Sequence, residues 1–300
     1  MRASLAAASV AAFALAMGCS GCSGEEPSSR SIASDTDGGS PRVDGSASTS
    51  CEPPDMLIVL DRTLSMSKRP DGTAPANTPD GHRETKWYLA IEAVEQVSTM
   101  LEGSVRFGLE LFPRDPGGNV CVTLAQQLMG MSATNPHCQG GEVIVAPSNA
   151  AGTTIDTALD PETTLLCVST PIGPAIDTAK TELARVHDPI RSQYALLLSD
   201  GNDTCGNEAI ATAQGLLAQG VRTYVVAFDG SGRGIDAATL NDLACAGGTA
   251  PGFPAPCTDA GAGKWYATTR DGPTLFLVAE DGDSLVSTLA AIGSQIGCLI

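Results

Sequence analysis

From Asp55 onward the chain alternates short apolar runs with longer stretches whose apolar residues recur every three or four positions, and this alternation narrows the fold more than any other feature. Met56–Leu60, Val105–Phe112, Glu142–Ala146, Tyr194–Ser199, Arg222–Phe228 and Thr274–Ala279 read as strands. Several are unbroken apolar runs, as expected of strands covered on both faces. Thr85 is placed to cap a helix carrying Trp87, Ile91, Val94, Val97 and Leu101 on one stripe. Pro171 opens a helix running through Ile176 and Leu183, and Glu208–Gln219 reads as a helix stopped by Gly220. Ile235–Ala246 is a shorter helix, and Leu285, Leu289, Ile292 and Ile296 line one side of the last. The fold class expected is α/β: a doubly wound, mainly parallel, Rossmann-like sheet with helices on both faces. No convincing helix separates residues 105–112 from 142–146, so one of these strands is expected as an antiparallel edge. Residues 113–141, rich in Gly, Pro and Asn, read as an elaborated loop.

A chain of 300 residues, 42% hydrophobic, can bury one sizeable core, and the pattern assigns residues 51–300 to it. With 4% aromatic residues, that core is expected to be packed from Val, Leu, Ile and Ala. The net charge of −17 argues against nucleic acid or anionic lipid as an electrostatic partner.

Residues 1–19, MRASLAAASVAAFALAMGC, have the form of an export signal: Arg2, an apolar stretch from Leu5 to Met17, then small residues. The stretch is too short and Ala-rich for a good membrane span. Its end resembles a bacterial lipobox, although Ala16 stands where Leu or Val is more usual. By that resemblance Cys19 carries the lipid. Cys22 is a rival acceptor, and plain secretion with cleavage near Gly18 is the alternative. Residues 20–50 are rich in Ser, Gly and Asp with few large apolar groups, the composition of a disordered tether. The expected location is the cell envelope, lipid-anchored at the outer membrane or cell surface or within the periplasm, or else secretion, with membrane contact only through the anchor.

Ten cysteines are present, and eight follow the tether: Cys51, Cys121, Cys138, Cys167, Cys205, Cys245, Cys257 and Cys298. An even count in an exported chain reads as disulfides, and eight allow 105 pairings. Cys51 with Cys298 would staple the domain ends, and Cys245 with Cys257 would close a short Gly/Pro loop. Cys167 with Cys205 would stiffen a rim, with pairing to Cys121 or Cys138 equally open. No C-x-x-C stands near a His, which argues against zinc.

The first apolar run ends in Leu60-Asp61-Arg62-Thr63-Leu64-Ser65-Met66-Ser67, a carboxylate and three hydroxyls at a strand end. A second oxygen-rich end, Ser199-Asp200-Gly201-Asn202-Asp203, follows Tyr194–Ser199. In doubly wound sheets ligands bind at the carboxyl ends of strands where the strand order reverses. If these two strands are neighbours there, Asp61, Thr63, Ser65 and Asp200 converge. Oxygen ligands of this kind suit a hard cation such as Mg²⁺, with Mn²⁺ or Ca²⁺ as alternatives. The plain alternative is that they cap turns and helix starts.

Three segments in order, Asp61–Ser67, Ser169-Thr170-Pro171 and Leu196–Asp203, give the chain a resemblance to the von Willebrand factor type A family across about residues 51–300. The resemblance implies a metal-ion-dependent adhesion site at Asp61, Thr63, Ser65, Thr170 and Asp200. Thr63 replaces the usual Ser, adding a methyl near the ion, and Leu64 replaces a frequent Gly. It further implies a non-enzymatic domain in which a carboxylate of a protein partner completes the metal sphere. A glycan ligand is the less favoured form of that reading. The alternative function is a disulfide-stabilised structural envelope domain with a vestigial metal site. The insert Lys68–Glu84 is expected on the rim of the same site. His82, His137 and His187 are scattered, and no Gly-x-Ser-x-Gly, P-loop or Gly-x-Gly-x-x-Gly motif follows a strand.

Overall fold

The first strand, β1 (Asp55–Asp61), is buried along its whole length, and the rest of the domain is layered around it. The computed structural model describes residues 51–118, 120–133, 138–206, 208–232 and 234–298. The leader with Cys19, the tether at 20–50 and His137 lie outside the described residues. After β1 come α1 (Pro79–Arg83), α2 (Lys86–Met100), β2 (Arg106–Phe112), α3 (Leu124–Leu128), β3 (Glu142–Val145), α4 (Ala151–Ala158) and α5 (Ile172–Arg185). The second half holds β4 (Gln193–Ser199), α6 (Ala209–Ala218), β5 (Arg222–Phe228), α7 (Ala237–Ala246), β6 (Cys257–Asp259), β7 (Trp265–Ala267), β8 (Leu277–Ala279) and α8 (Gly282–Ile296).

The main sheet has the order β3-β2-β1-β4-β5-β8. All its pairs are parallel except β2 with β3, so β3 is the antiparallel edge. The order reverses between β1 and β4, which places their carboxyl ends side by side. Alternation along β1 divides its side chains between two cores. Met56, Ile58 and Leu60 share one with Trp87 and Ile91 of α2 and Leu285 and Leu289 of α8. Leu57 and Val59 share the other with Ile172 and Ile176 of α5, Leu216 of α6 and Leu243 of α7. Burying each such Leu or Ile contributes about 1.5–3 kcal/mol. Thr85 caps α2 by accepting the Tyr88 N–H, and all five stripe residues of that helix are buried or partly buried.

Two expected elements need correction, and two further elements were not foreseen. Between β2 and β3 the loop contains a helix, α3, held by a reciprocal cap between Thr123 and Gln126. Five residues were too few to show periodicity. The helix α4 carries Gly152 and Thr residues and has no side-chain cap, so its propensity is poor. Packing makes it: Ile155 is fully buried, and a Cβ on Gly152 would lie 3.1 Å from the Ser98 carbonyl of α2. The strand expected at 274–279 starts only at Leu277. Its first residues are claimed by Asn241, which accepts the Leu275 N–H and donates to the carbonyls of Arg270 and Pro273. The small β6–β7 hairpin was not legible as strands; its residues pack through a Phe253–Trp265 edge contact and a Gln214 bond to the Trp265 carbonyl.

Four disulfides are present among the described residues. Cys51 joins Cys298 and Cys245 joins Cys257, the two pairings favoured from sequence. Cys167 does not join Cys205. It joins Cys121, because an antiparallel bridge between Val122 and Leu166 sets those neighbours side by side, with N–H···O distances of 2.9 and 2.7 Å. Cys205 joins Cys138 instead. Both loop disulfides therefore run from the 113–141 segment to the segments expected to bear the site.

Glu110 in the middle of β2 is fully buried, and neither carboxylate oxygen has a hydrogen-bond partner. It packs against Gly141, where a Cβ would come within 1.8 Å of Oε1. Burial, helped by the charge of Glu182, holds its carboxyl protonated well above the ordinary range. The native state keeps a proton that the unfolded chain releases above its ordinary carboxyl pKa, so this group's stability contribution falls as pH rises through the native value. Urea melts of Glu110→Gln should show a gain of about 1–3 kcal/mol at pH 8 and little change at pH 4, the range for a buried unsatisfied group. A second melt concerns the rim. Removing the Cys138–Cys205 bond, which spans 67 residues, with paired Ala substitutions should lower stability by about 4 kcal/mol.

Candidate metal centre at the strand ends

Asp61 closes β1 and Ser199 closes β4, and the pairing of these strands puts their side chains in contact. Asp61 is fully buried. Its Oδ1 accepts the Thr63 N–H at 2.7 Å and its Oδ2 the Ser199 hydroxyl at 2.5 Å. Beyond it, the Ser65 hydroxyl donates to Asp200 Oδ1 at 2.7 Å. That uses the Ser65 proton, so the 2.7 Å contact between Thr63 Oγ1 and Ser65 Oγ has Thr63 as donor. Asp200 Oδ2 accepts no aligned hydrogen bond, but the Lys86 ammonium lies 2.5 Å from it, with side-chain exposures of 5% and 0%.

Burial first, then the neighbouring charge of Asp200, pushes the Asp61 carboxyl up to about 7 against the pull of its hydrogen bonds from Ser199 and Thr63. Asp61 thus sits where its hydrogen bonds do not fully offset burial and the neighbouring charge. Asp229, at the end of β5, is nearby. Burial raises its pKa, but hydrogen bonds from Ser231 and Gly234, with the charge of Lys86, outweigh that and hold it ionised.

Thr170 reaches the same place on a second segment. Leu64 N–H donates to the Cys167 carbonyl and Cys167 N–H to that of Arg62, so this segment runs beside the first loop. Ser169 then takes φ 76°, a left-handed turn that redirects the chain before Pro171 starts α5. The Thr170 N–H donates to Thr204 Oγ1 at 2.7 Å, and its carbonyl accepts the Thr204 N–H at 3.1 Å. Thr63, Ser65, Ser169, Thr170 and Thr204 line an open depression of about 400 Å³. All five residues expected from sequence thus lie in one neighbourhood. Sequence reasoning did not assign Ser199, Thr204 or Lys86. Lys86 left one signal: a lysine in the first turn of a helix, where the macrodipole disfavours a cation, next to the buried Trp87.

Other features do not converge. Asp115, Cys121 and Cys167 lie together, but both sulfurs are in a disulfide and give no thiolate. A larger cavity of about 570 Å³ sits at the amino end of β5, lined by Arg222, Tyr224, Thr249, Phe253, Leu277 and Ile292, away from the carboxylates. The insert at 68–84 is anchored beside the site. The Lys68 carbonyl accepts the Lys86 N–H, and His82 contacts Glu162 at 2.9 Å and Asn77 at 2.9 Å. His187 follows α5 and is exposed. Among the described residues, no helix is long and apolar enough to cross a membrane.

No family model matches the chain, and no curated protein matches it by sequence. Solved structures do match in fold. A PilB minor pilin from Streptococcus sanguinis is 13% identical with a TM-score of 0.52, the match covering 81% of this chain and 61% of that one. Proximal thread matrix protein 1 from the mussel byssus is 13% identical with a TM-score of 0.46, over 80% of this chain and 47% of its own. The chain thus spans about half the length of the mussel protein. The VWA domain of SpRpn10 is 10% identical with a TM-score of 0.41, over 59% of this chain and 75% of that one. At such identities the likeness is one of fold. The six-stranded order with its one antiparallel edge is the doubly wound, mainly parallel α/β arrangement expected from the sequence.

Proposed function

We propose that the domain binds a divalent cation through Asp61, Thr63, Ser65, Thr170 and Asp200, and through it an acidic side chain of a protein partner. The observation that carries this reading is the convergence, at the reversal point of the sheet, of two buried carboxylates and several hydroxyls, with one ammonium paired to Asp200. The donor set is all oxygen, which suits Mg²⁺ first and Mn²⁺ or Ca²⁺ next. Such an ion supplies Lewis acidity toward an incoming carboxylate, and neutral hydroxyls leave that acidity undiminished. The chain's own part is to hold the oxygens. Ser199 and the Thr63 N–H fix Asp61, Ser65 fixes Asp200, and the depression at Thr170 leaves the partner's side open.

The setting is a bacterial envelope: four disulfides suit an oxidising compartment, and the leader suits lipidation at Cys19. The role is adhesion-type binding without catalysis. A second reading, a rugged structural domain with a vestigial site, draws on the Lys86–Asp200 pair, which already gives Asp200 a cation.

Calorimetric titration of Mg²⁺, Mn²⁺ and Ca²⁺ into the metal-stripped protein separates the two. Saturable heats abolished by Asp200→Ala, with partner capture lost in chelator, are expected; equal, negligible heats in both proteins would leave the structural reading. For the anchor, labelling with a radioactive fatty acid should be lost in Cys19→Ala and kept in Cys22→Ala.

A further inference from the structure

Lys86 is an odd residue for a cation site. It stands one residue after the Thr85 cap, in the positive first turn of α2, with its side chain 5% exposed. A buried lysine is costly unless paired, and its partner is Asp200, one of the two carboxylates of the proposed centre. Asp200 Oδ2 has no other partner, since Ser65 takes Oδ1. The insert fixes the start of the helix: the Lys68 carbonyl accepts the Lys86 N–H at 2.8 Å, and the Thr85 hydroxyl donates to the His82 carbonyl at 2.6 Å. The backbone is thus pinned where the flexible side chain reaches the carboxylate. A second acidic group, Asp229, is within the reach of its charge.

We propose that Lys86 is the built-in counter-ion of this centre, an ammonium on Asp200 that a divalent cation must displace, so that Lys86 sets how tightly the site holds metal. The inference rests on the metal-binding reading above. A compact, strongly hydrated point charge on four methylenes suits this role, because it can leave one carboxylate for another without moving the backbone. Asp229, already ionised and buried, is the acceptor on hand. Metal uptake becomes an exchange of one positive charge for two. The like-charge repulsion between ammonium and ion, acting in a buried site, weakens the affinity the oxygens alone would give.

The test compares wild type with Lys86→Met, which keeps the length and removes the charge, and Lys86→Arg, which keeps the charge. Each metal-stripped protein is titrated with Mg²⁺ and Mn²⁺, and its melting temperature is read in chelator and in saturating Mg²⁺. The expected result is at least tenfold tighter binding in Lys86→Met and a change of less than threefold in Lys86→Arg. Lys86→Met should also melt lower in chelator, where two carboxylates face each other, and recover fully in Mg²⁺. A purely structural lysine would give the lower melting temperature without the metal rescue. Equal or weaker binding in Lys86→Met overturns the inference while leaving the metal site standing. Absence of binding in wild type and in both variants overturns the metal reading and the inference with it. Should Lys86→Met fail to fold, NMR of wild type carrying isotope-labelled lysine decides. The Lys86 side-chain signal shifts in step with Mg²⁺ occupancy if the ammonium is displaced, and a stationary signal overturns the displacement.

Discussion

Two carboxylates at the ends of adjacent buried strands are the constraint around which this domain is arranged. Asp61 and Asp200 are fully or nearly fully buried, and each buried ion carries a desolvation penalty of several kcal/mol unless it is compensated. The compensation comes from specific groups. A backbone N–H and a strand-end hydroxyl serve Asp61; a loop hydroxyl and an ammonium serve Asp200. It is incomplete, since the Asp61 carboxyl is still driven up to about 7, first by burial and then by its neighbour. On the proposed reading, a divalent cation would supply the positive charge that is lacking there.

The frame around that pair is covalent and polar more than hydrophobic. The two segments that complete the depression are loops, which bury few large side chains and would otherwise fluctuate. Each is stitched to the long 113–141 segment by a disulfide, at Cys167 and at Cys205. They are then joined to each other by the pair of hydrogen bonds between Thr170 and Thr204. The long loop thus acts as a brace for the rim. In a chain with 4% aromatic residues, cross-links give the loops a rigidity that packing does not supply.

What was legible in the sequence followed the strength of each local signal. The central strands and long helices were readable because full burial imposes continuous apolar runs or strict stripes, as in Leu57–Leu60 and in Trp87, Ile91, Val94 and Val97. The convergence of the two carboxylates was readable because two apolar strands that break abruptly into oxygens end side by side where the strand order reverses. Short elements were not: α4 owes its existence to contact with α2, and the start of β8 is lost to one asparagine 34 residues away. Such contacts leave no periodicity. The partner of Cys167 depended on a two-residue bridge, Val122 with Leu166, that no spacing rule encodes. Lys86 was hidden inside the helix stripe as one more polar residue between buried ones.

The two departures of the first loop from the pattern of the family it resembles have local physical reasons. Leu64 is partly buried and packs against the core shared by β1 and α2, so it pins the loop at a position where Gly would leave it loose. Thr63 is 3% exposed in extended backbone, φ −75° and ψ 162°, where a β-branched side chain has few rotamers. Its hydroxyl is already directed at Ser65, which in turn is directed at Asp200. The extra methyl therefore lowers the freedom of the one hydroxyl that starts the chain of donors, and less entropy is lost when that oxygen is put to use. A serine in this position would keep the oxygen and lose the stiffness. The methyl thus holds Thr63 with its hydroxyl on Ser65, beside an Asp200 already paired with Lys86.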